Sequence, residues 1–332
     1  MQKQICLTGI KATGMPHLGN YIGAIKPAID MANTGSFQSY YFIADYHSLV
    51  SVHDAKMMKN YTYEVAAAWL AMGLDPKVIT LYKQSDIPEI LELHWMLSCF
   101  TTKGLMNRAH AYKAVVQENE GLERDSDHGI NIGLFTYPIL MAADIMILNA
   151  DVVPVGADQL QHIEIARDIA TVFNNTYGSK LKLPKAIVSE GNKLLPGLDG
   201  RKMSKSYGNH IPLFSSDKEL KKLINRITTD SSGPLDPKNP DDSLIFDYYG
   251  QFASAEQTLA LRAWYLKGIG WGEAKMELLS VLNSSLAVPR EIYAELMGNT
   301  SKIDLILEEG AARVRPHAQK LISELKQSIG LK

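Results

Sequence analysis

The feature that most constrains this chain is the alternation of short β-rich runs with helical patterns through its first half. Parallel strands can be joined only by a long crossover, usually a helix. Runs at Gln4 to Thr8, Tyr40 to Ala44, Val78 to Tyr82 and Asp151 to Val155, separated by helical stretches, therefore predict an α/β fold: a doubly wound parallel sheet with helices on both faces.

The punctuation between these runs agrees. Asp54 precedes an Ala-rich helix that stops near Gly73, and Asp158 opens an amphipathic helix that runs to about Tyr177 and stops at Gly178. Beyond about residue 190 the strand signal fades. A Gly- and Lys-rich segment follows, with little apolar content to pin it, and then helices only. Ser216 to Glu219 and Ser254 to Gln257 have the spacing of capping boxes. The Pro-rich stretch from Gly233 to Pro240 interrupts these helices, because proline fixes φ and donates no hydrogen bond. The second half is thus an all-helical region.

Composition narrows the function classes. A hydrophobic fraction of 46% with 21% charged residues is that of a globular protein, and no apolar run is long enough for a bilayer. Met1 to Gln4 lead directly into the first strand, leaving no room for a leader. The expected location is therefore cytoplasmic, with no membrane partner. The net charge of -2 gives no global attraction to nucleic acid, so RNA contacts must come from local basic patches. The 2 cysteines, Cys6 and Cys99, have no metal-type spacing and read as buried free thiols.

Two segments carry chemistry. Thr8 to Asn20 joins the first strand to a helix. Its glycines allow close approach to a phosphate, and a helix N-terminus offers unpaired N–H groups. By itself this is equally an ordinary strand-to-helix loop. Gly200 to Ser206 sets lysines and hydroxyls side by side, suited to closing over a triphosphate, and by itself is equally a solvated basic loop.

Taken together they are specific. His17-Leu18-Gly19-Asn20 resembles the HIGH element, and Lys202-Met203-Ser204-Lys205-Ser206 matches the KMSKS element, of class I aminoacyl-tRNA synthetases. Within that class, Val153 to Glu164, followed by Arg167-Asp168-Ile169-Ala170 and Phe173-Asn174, is similar to the tryptophanyl enzymes, as is Thr136 to Ile145.

The resemblance implies a Rossmann-like catalytic domain over 1–190, a KMSKS loop over 191–210, a helical anticodon-binding domain over 211–300 and a terminal helix over 301–332 packing back toward the catalytic domain. It implies ATP contacts from Lys11, Ala12, Thr13, Gly19, Asn20, Gly156, Ala157, Asp158, Leu194 and Lys202 through Ser206, with Lys202, Lys205, His17 and Lys113 acting in catalysis. It implies a tryptophan pocket of Leu7, His47, Tyr137, Met141, Asp144, Val153, Val155 and Gln159, in which Asp144 accepts the indole N–H and Gln159 holds the ammonium group. Tyr137, Met141 and Asp144, spaced by four and three, also share one helix face. Expected partners are L-tryptophan, ATP with Mg²⁺ as a substrate complex, tRNA(Trp) and a second copy of the chain. Lys221, Lys222, Arg226, Arg313 and Arg315 are candidate anticodon contacts.

Departures from the family's pattern stand beside this. Lys11-Ala12-Thr13 replaces the Gln-Pro-Ser usual in bacterial relatives, and His17 stands where many have threonine. Two distant cysteines cannot supply the four ligands of the iron–sulfur cluster some relatives carry, so no such cluster and no permanently bound cofactor is expected. A tyrosyl enzyme, a non-catalytic regulator and a small nucleotidyltransferase remain the rival readings.

Overall fold

The computed structural model describes residues 3–178, 181–188 and 195–332. Its sheet consists of β1 (Gln4–Lys11), β2 (Phe37–Ala44), β3 (Thr80–Lys83), β4 (Val152–Val155) and β5 (Lys185–Val188), all parallel, in the order β3-β2-β1-β4-β5. The doubly wound sheet is as expected, with one addition. β5 carries only Lys-Ala-Ile-Val, too short and too mixed for its sequence to declare a strand, and it exists because β4 offers a free edge.

Side chains alternate across the sheet, as a period of two requires. Leu7, Tyr40, Phe42, Tyr82 and Val153 enter one core, whereas Cys6, Tyr41, Ile43, Leu81 and Val152 enter the other. The first core is closed by α3 (Glu89–Ser98), α5 (Ile132–Ile147) and α6 (Leu160–Tyr177). The second is closed by α1 (Lys26–Asn33) and α2 (Ala55–Ala71), whose Val65 to Ala68 are almost wholly buried. Between α3 and α5 lies α4 (His110–Gly121).

Asp54 caps α2 by accepting from the Met57 N–H at 2.8 Å, and Gly178 ends α6 in the left-handed region, both as read from the sequence. The start of α6 differs. A 3₁₀ turn, Ala157–Gln159, intervenes, and Gln159 rather than Asp158 occupies the cap position.

The second half is helical: α7 (Asp217–Asn225), α8 (Leu244–Gly250), α9 (Ala255–Lys267), α10 (Trp271–Gly298) and α11 (Ser301–Ile329). Ser254 and Gln257 form the full reciprocal capping box, whereas Ser216 makes only the forward bond to the Glu219 N–H. Residues of α7 to α10 build a third core, which also takes in Leu18, Ile22, Leu195, Leu198 and Met203. The expectation of an unpinned Lys-rich segment is thereby corrected for its described part. Its few apolar residues are diluted among polar ones in the sequence, yet they are the ones buried.

α11 crosses the sheet at β3, the edge strand. Its Ile303 and Leu307 join one core and its Ala311 to Leu325 join the other. Gly310 lies at the crossing, where a Cβ would sit 1.7 Å from the Leu81 carbonyl oxygen. Only glycine permits that approach. Arg313 donates to the Pro76 carbonyl and Arg315 to the Asp86 carbonyl, each at 3.1 Å. These two arginines therefore clamp α11 to the strand-bearing half, correcting the expectation that they face an anticodon.

Candidate active site

β1 and β4 are adjacent where the strand order reverses, and in open α/β sheets ligands bind outside the carboxyl ends of the strands at this switch point. β1 delivers Lys11, Ala12 and Thr13 there. β4 delivers Gly156 and Ala157, both exposed, and then Gln159.

After β1, the chain turns through Gly14 at φ +94° into a short helix, Leu18–Asn20. His17 caps it. The Asn20 N–H donates to His17 Nδ1 and the His17 N–H to Asn20 Oδ1, both at 3.1 Å. Burial, reinforced by His210 and Lys205 nearby, holds the His17 imidazole down to about 4, so it is neutral near pH 7. Because Nδ1 accepts, the proton resides on Nε2, leaving a donor suited to a phosphate oxygen. Asn20, expected on the adenosine side, spends its side-chain oxygen on this cap.

The two sequence elements meet. Lys205 Nζ donates to the Thr13 carbonyl at 2.8 Å, and the Gly19 N–H points to Met203 Sδ at 3.3 Å. Backbone bonds reinforce the junction: Leu18 N–H to Ile211 O and Leu213 N–H to Pro16 O, both 2.9 Å. Asn209, nearly buried, ties the loop internally by accepting from the Ser204 N–H and donating to Asp199 and to the Lys202 carbonyl. Those bonds, with the Arg201 pair, hold the Asp199 carboxyl down to about 2. Lys202 and Ser206 are exposed on this loop. Beside Lys205 opens a cleft of about 340 Å³ lined by Thr13, Gly14, Tyr61, Glu64, His210 and Glu219 among others.

The residues expected to form the amino-acid pocket gather around α5. Leu7 and Val153 are buried on one sheet face, and half-buried Met141 and Val155 pack on the same cluster. Asp144, 1% exposed, is met by His47 Nε2 at 2.9 Å and by Gln84 Nε2 at 2.8 and 3.0 Å. Burial pushes its carboxyl up, and the His47 and Gln84 contacts oppose that shift. Tyr137 stacks edge-on to His47, and Lys11 Nζ lies 5.4 Å from the Tyr137 ring centroid. A cavity of about 380 Å³ opens beside His47 and Tyr137.

Other expected residues are placed differently. Lys113 is exposed on α4, and its contacts among the described residues join it to neither the Thr8–Asn20 segment nor the Gly200–Ser206 segment. Leu194 and the side chain of Asp158 lie outside the described residues. Arg226 donates to the Gly208 carbonyl at the end of the Lys-rich loop, while Lys221 and Lys222 are exposed on α7. Cys99, expected buried, is exposed at the end of α3; Cys6 is buried, its thiol pushed up to about 12 by desolvation.

Sequence reasoning missed Gln84 and Asn209 as well as His210. Gln84 follows β3 as His47 follows β2, so searching every strand's carboxyl end for polar side chains would have found it. Asn209 and His210 carry no comparable signal, since only the folded loop turns them inward.

A family model described as class I tRNA synthetases (W and Y) matches residues 1–285. A tryptophan–tRNA ligase of Neisseria meningitidis is 49% identical over 333 residues, covering 100% of this chain and 99% of the relative. One from Pseudomonas aeruginosa is 51% identical, covering 98% of this chain and 73% of the relative. The solved tryptophanyl-tRNA synthetase of Campylobacter jejuni, complexed with ADP and tryptophan, superposes with TM-score 0.89 at 41% identity, covering 98% of this chain and 99% of that one.

Proposed function

Since this chain belongs to the class I tRNA synthetases for tryptophan and tyrosine, and joins tryptophan to its tRNA, we propose how its own residues divide that work. The reaction activates L-tryptophan with ATP to the adenylate, releases pyrophosphate, and transfers the acyl group to the 3′-terminal ribose of tRNA(Trp).

No protein nucleophile is needed. The tryptophan carboxylate attacks the α-phosphorus, and the protein aligns the reactants and stabilises charge on the phosphates. Lys202 and Lys205 serve the departing pyrophosphate. His17 donates to a phosphate oxygen through Nε2–H, and the Thr13 and Gly19 segments cradle the nucleotide. Gly156 and Ala157 face the ribose. Mg²⁺ arrives as the ATP complex.

Asp144 orients the indole by accepting its N–H, a bond phenylalanine cannot make. Met141 and Val155 pack the ring. The observation that carries this reading is the meeting of Lys205 with Thr13 and of Met203 with Gly19, which brings two distant ATP elements to one crevice.

The helical region around α7 to α10 is proposed to read the anticodon. Exposed apolar residues, Leu91 and Trp95 a turn apart on α3 and Ile132 at the start of α5, support a homodimer. No helix among the described residues is long and apolar enough to cross a membrane; a cytoplasmic location fits the ATP and tRNA substrates.

The test is exchange of labelled pyrophosphate into ATP with each of the standard amino acids in turn. Exchange with tryptophan alone is expected. Exchange with tyrosine instead, or none with any, contradicts the assignment of this pocket.

A further inference from the structure

The segment that carries Lys202 and Lys205 folds back on itself. Pro196 and Lys202 face each other in an antiparallel bridge, the Leu198 N–H donates to the Asn209 carbonyl at 2.9 Å, and the Gly208 N–H closes a turn on the Lys205 carbonyl at 3.1 Å. Each lysine therefore has a backbone partner that fixes where its side chain starts: Pro196 for Lys202, Gly208 for Lys205.

Both partners spend their carbonyls on the helical region. The Tyr248 hydroxyl, on α8, donates to the Pro196 carbonyl at 2.6 Å, and the Arg226 guanidinium, just past α7, donates to the Gly208 carbonyl at 3.1 Å. A carbonyl oxygen only accepts, so the direction of both bonds is fixed. Tyr248 is wholly buried, and burial pushes its phenol above the ordinary range, so the hydroxyl keeps the proton it donates. Arg226 is anchored in turn, because Lys275 on α10 donates to the Asn225 and Ile227 carbonyls on either side of it, each at 2.9 Å. Gly208 lies at φ +61°, one of several conformations open to a glycine, and the Arg226 bond holds it there.

A buried hydroxyl could be satisfied by any carbonyl. Here the two bonds land on the two residues paired with the lysines, one on each flank of the loop. We propose that Tyr248 and Arg226 are positioning residues for the step that expels pyrophosphate: Tyr248 aims Lys202 by fixing Pro196, and Arg226 aims Lys205 by fixing Gly208. The inference rests on the reading of the two lysines as the groups that serve pyrophosphate, and adds what holds each of them in place.

The test is tryptophan-dependent pyrophosphate exchange in single and double variants. Tyr248→Phe keeps the ring and removes one donor; Arg226→Ala, at an exposed position, removes the other. Each is expected to lower kcat by roughly tenfold while the KM for tryptophan stays within about twofold. Adding Tyr248→Phe to Lys202→Ala should cost almost nothing more, and so should adding Arg226→Ala to Lys205→Ala, since each pair acts through one side chain. Arg226→Lys, which can still donate to the Gly208 carbonyl, should recover most of the rate. A purely structural role would lower the urea midpoint and leave kcat of the folded enzyme as it was.

An unchanged kcat in either single variant, or full additivity in either pair, overturns the proposal. The Arg226 arm decides even if Tyr248→Phe does not fold, because an exposed arginine fills no core. If Lys202→Ala and Lys205→Ala themselves leave exchange unchanged, the reading of the lysines fails; if they slow it while Tyr248→Phe and Arg226→Ala do not, only the positioning role fails.

Discussion

His47 and Asp144 come from distant segments, yet His47 Nε2 lies 2.9 Å from Asp144 Oδ2 in an almost wholly buried pair. Gln84 bridges both carboxylate oxygens from the other side. A carboxylate offers about four acceptor positions, so these contacts leave one on Oδ1 for an indole N–H.

Asp144→Asn would put an amide donor against the His47 and Gln84 donors. The KM for tryptophan should rise by roughly tenfold or more, because a buried donor left facing a donor costs its full desolvation. Steady-state exchange kinetics read this directly. An unaltered KM would remove Asp144 from substrate recognition.

Lys205 donates to the Thr13 carbonyl, within reach of the phosphate loop. Lys205→Ala is expected to slow adenylate formation by roughly a hundredfold while tryptophan affinity stays within about twofold, as its contact strengthens when charge moves onto pyrophosphate. Single-turnover kinetics with equilibrium tryptophan binding separate the two effects. Equal losses in both would mean the lysine is structural.

His17 gives a signed pH dependence. Its imidazole is held down to about 4 in the folded chain, against an ordinary value near 6.5. Between those values the unfolded chain binds the proton more readily, so stability should fall as pH drops through this window and level off below it. His17→Asn should flatten that part of the curve in urea unfolding across pH. A mutant curve parallel to the parent's would show that other groups set the slope.

Gly310 has no room for a methyl group against the Leu81 carbonyl. Gly310→Ala must push α11 off β3 and should cost about 3 kcal/mol or more, well beyond the fraction of a kcal/mol that alanine gains in an open helix. Urea denaturation would show it as a lower midpoint. A stabilised mutant would mean that the helix shifts freely.

Much of this was legible in the sequence where chemistry and periodicity coincide. The β-rich runs marked all strands but β5, whose four residues are paired only because β4 lies beside them. The HIGH-like and KMSKS-like elements were readable as motifs. Their junction was not, since Met203 meeting Gly19 depends on a tertiary contact across most of the chain. Arg313 and Arg315 misled for a physical reason: a cation on a helix surface looks the same in sequence whether it faces RNA or a neighbouring carbonyl. Gln84 belongs to no motif, and only its place at the carboxyl end of β3, matching that of His47 after β2, signals it.

The seat of Gly310 on β3 also orders events during synthesis. A ribosome releases β3 long before it releases α11, so the nascent chain carries an open strand edge until residues 301–329 emerge. A chain truncated before residue 301 keeps that edge exposed and should sediment as aggregate. α11 thus makes synthesis through residue 329 a condition for solubility: until that helix emerges, the β3 edge of the sheet has no seal.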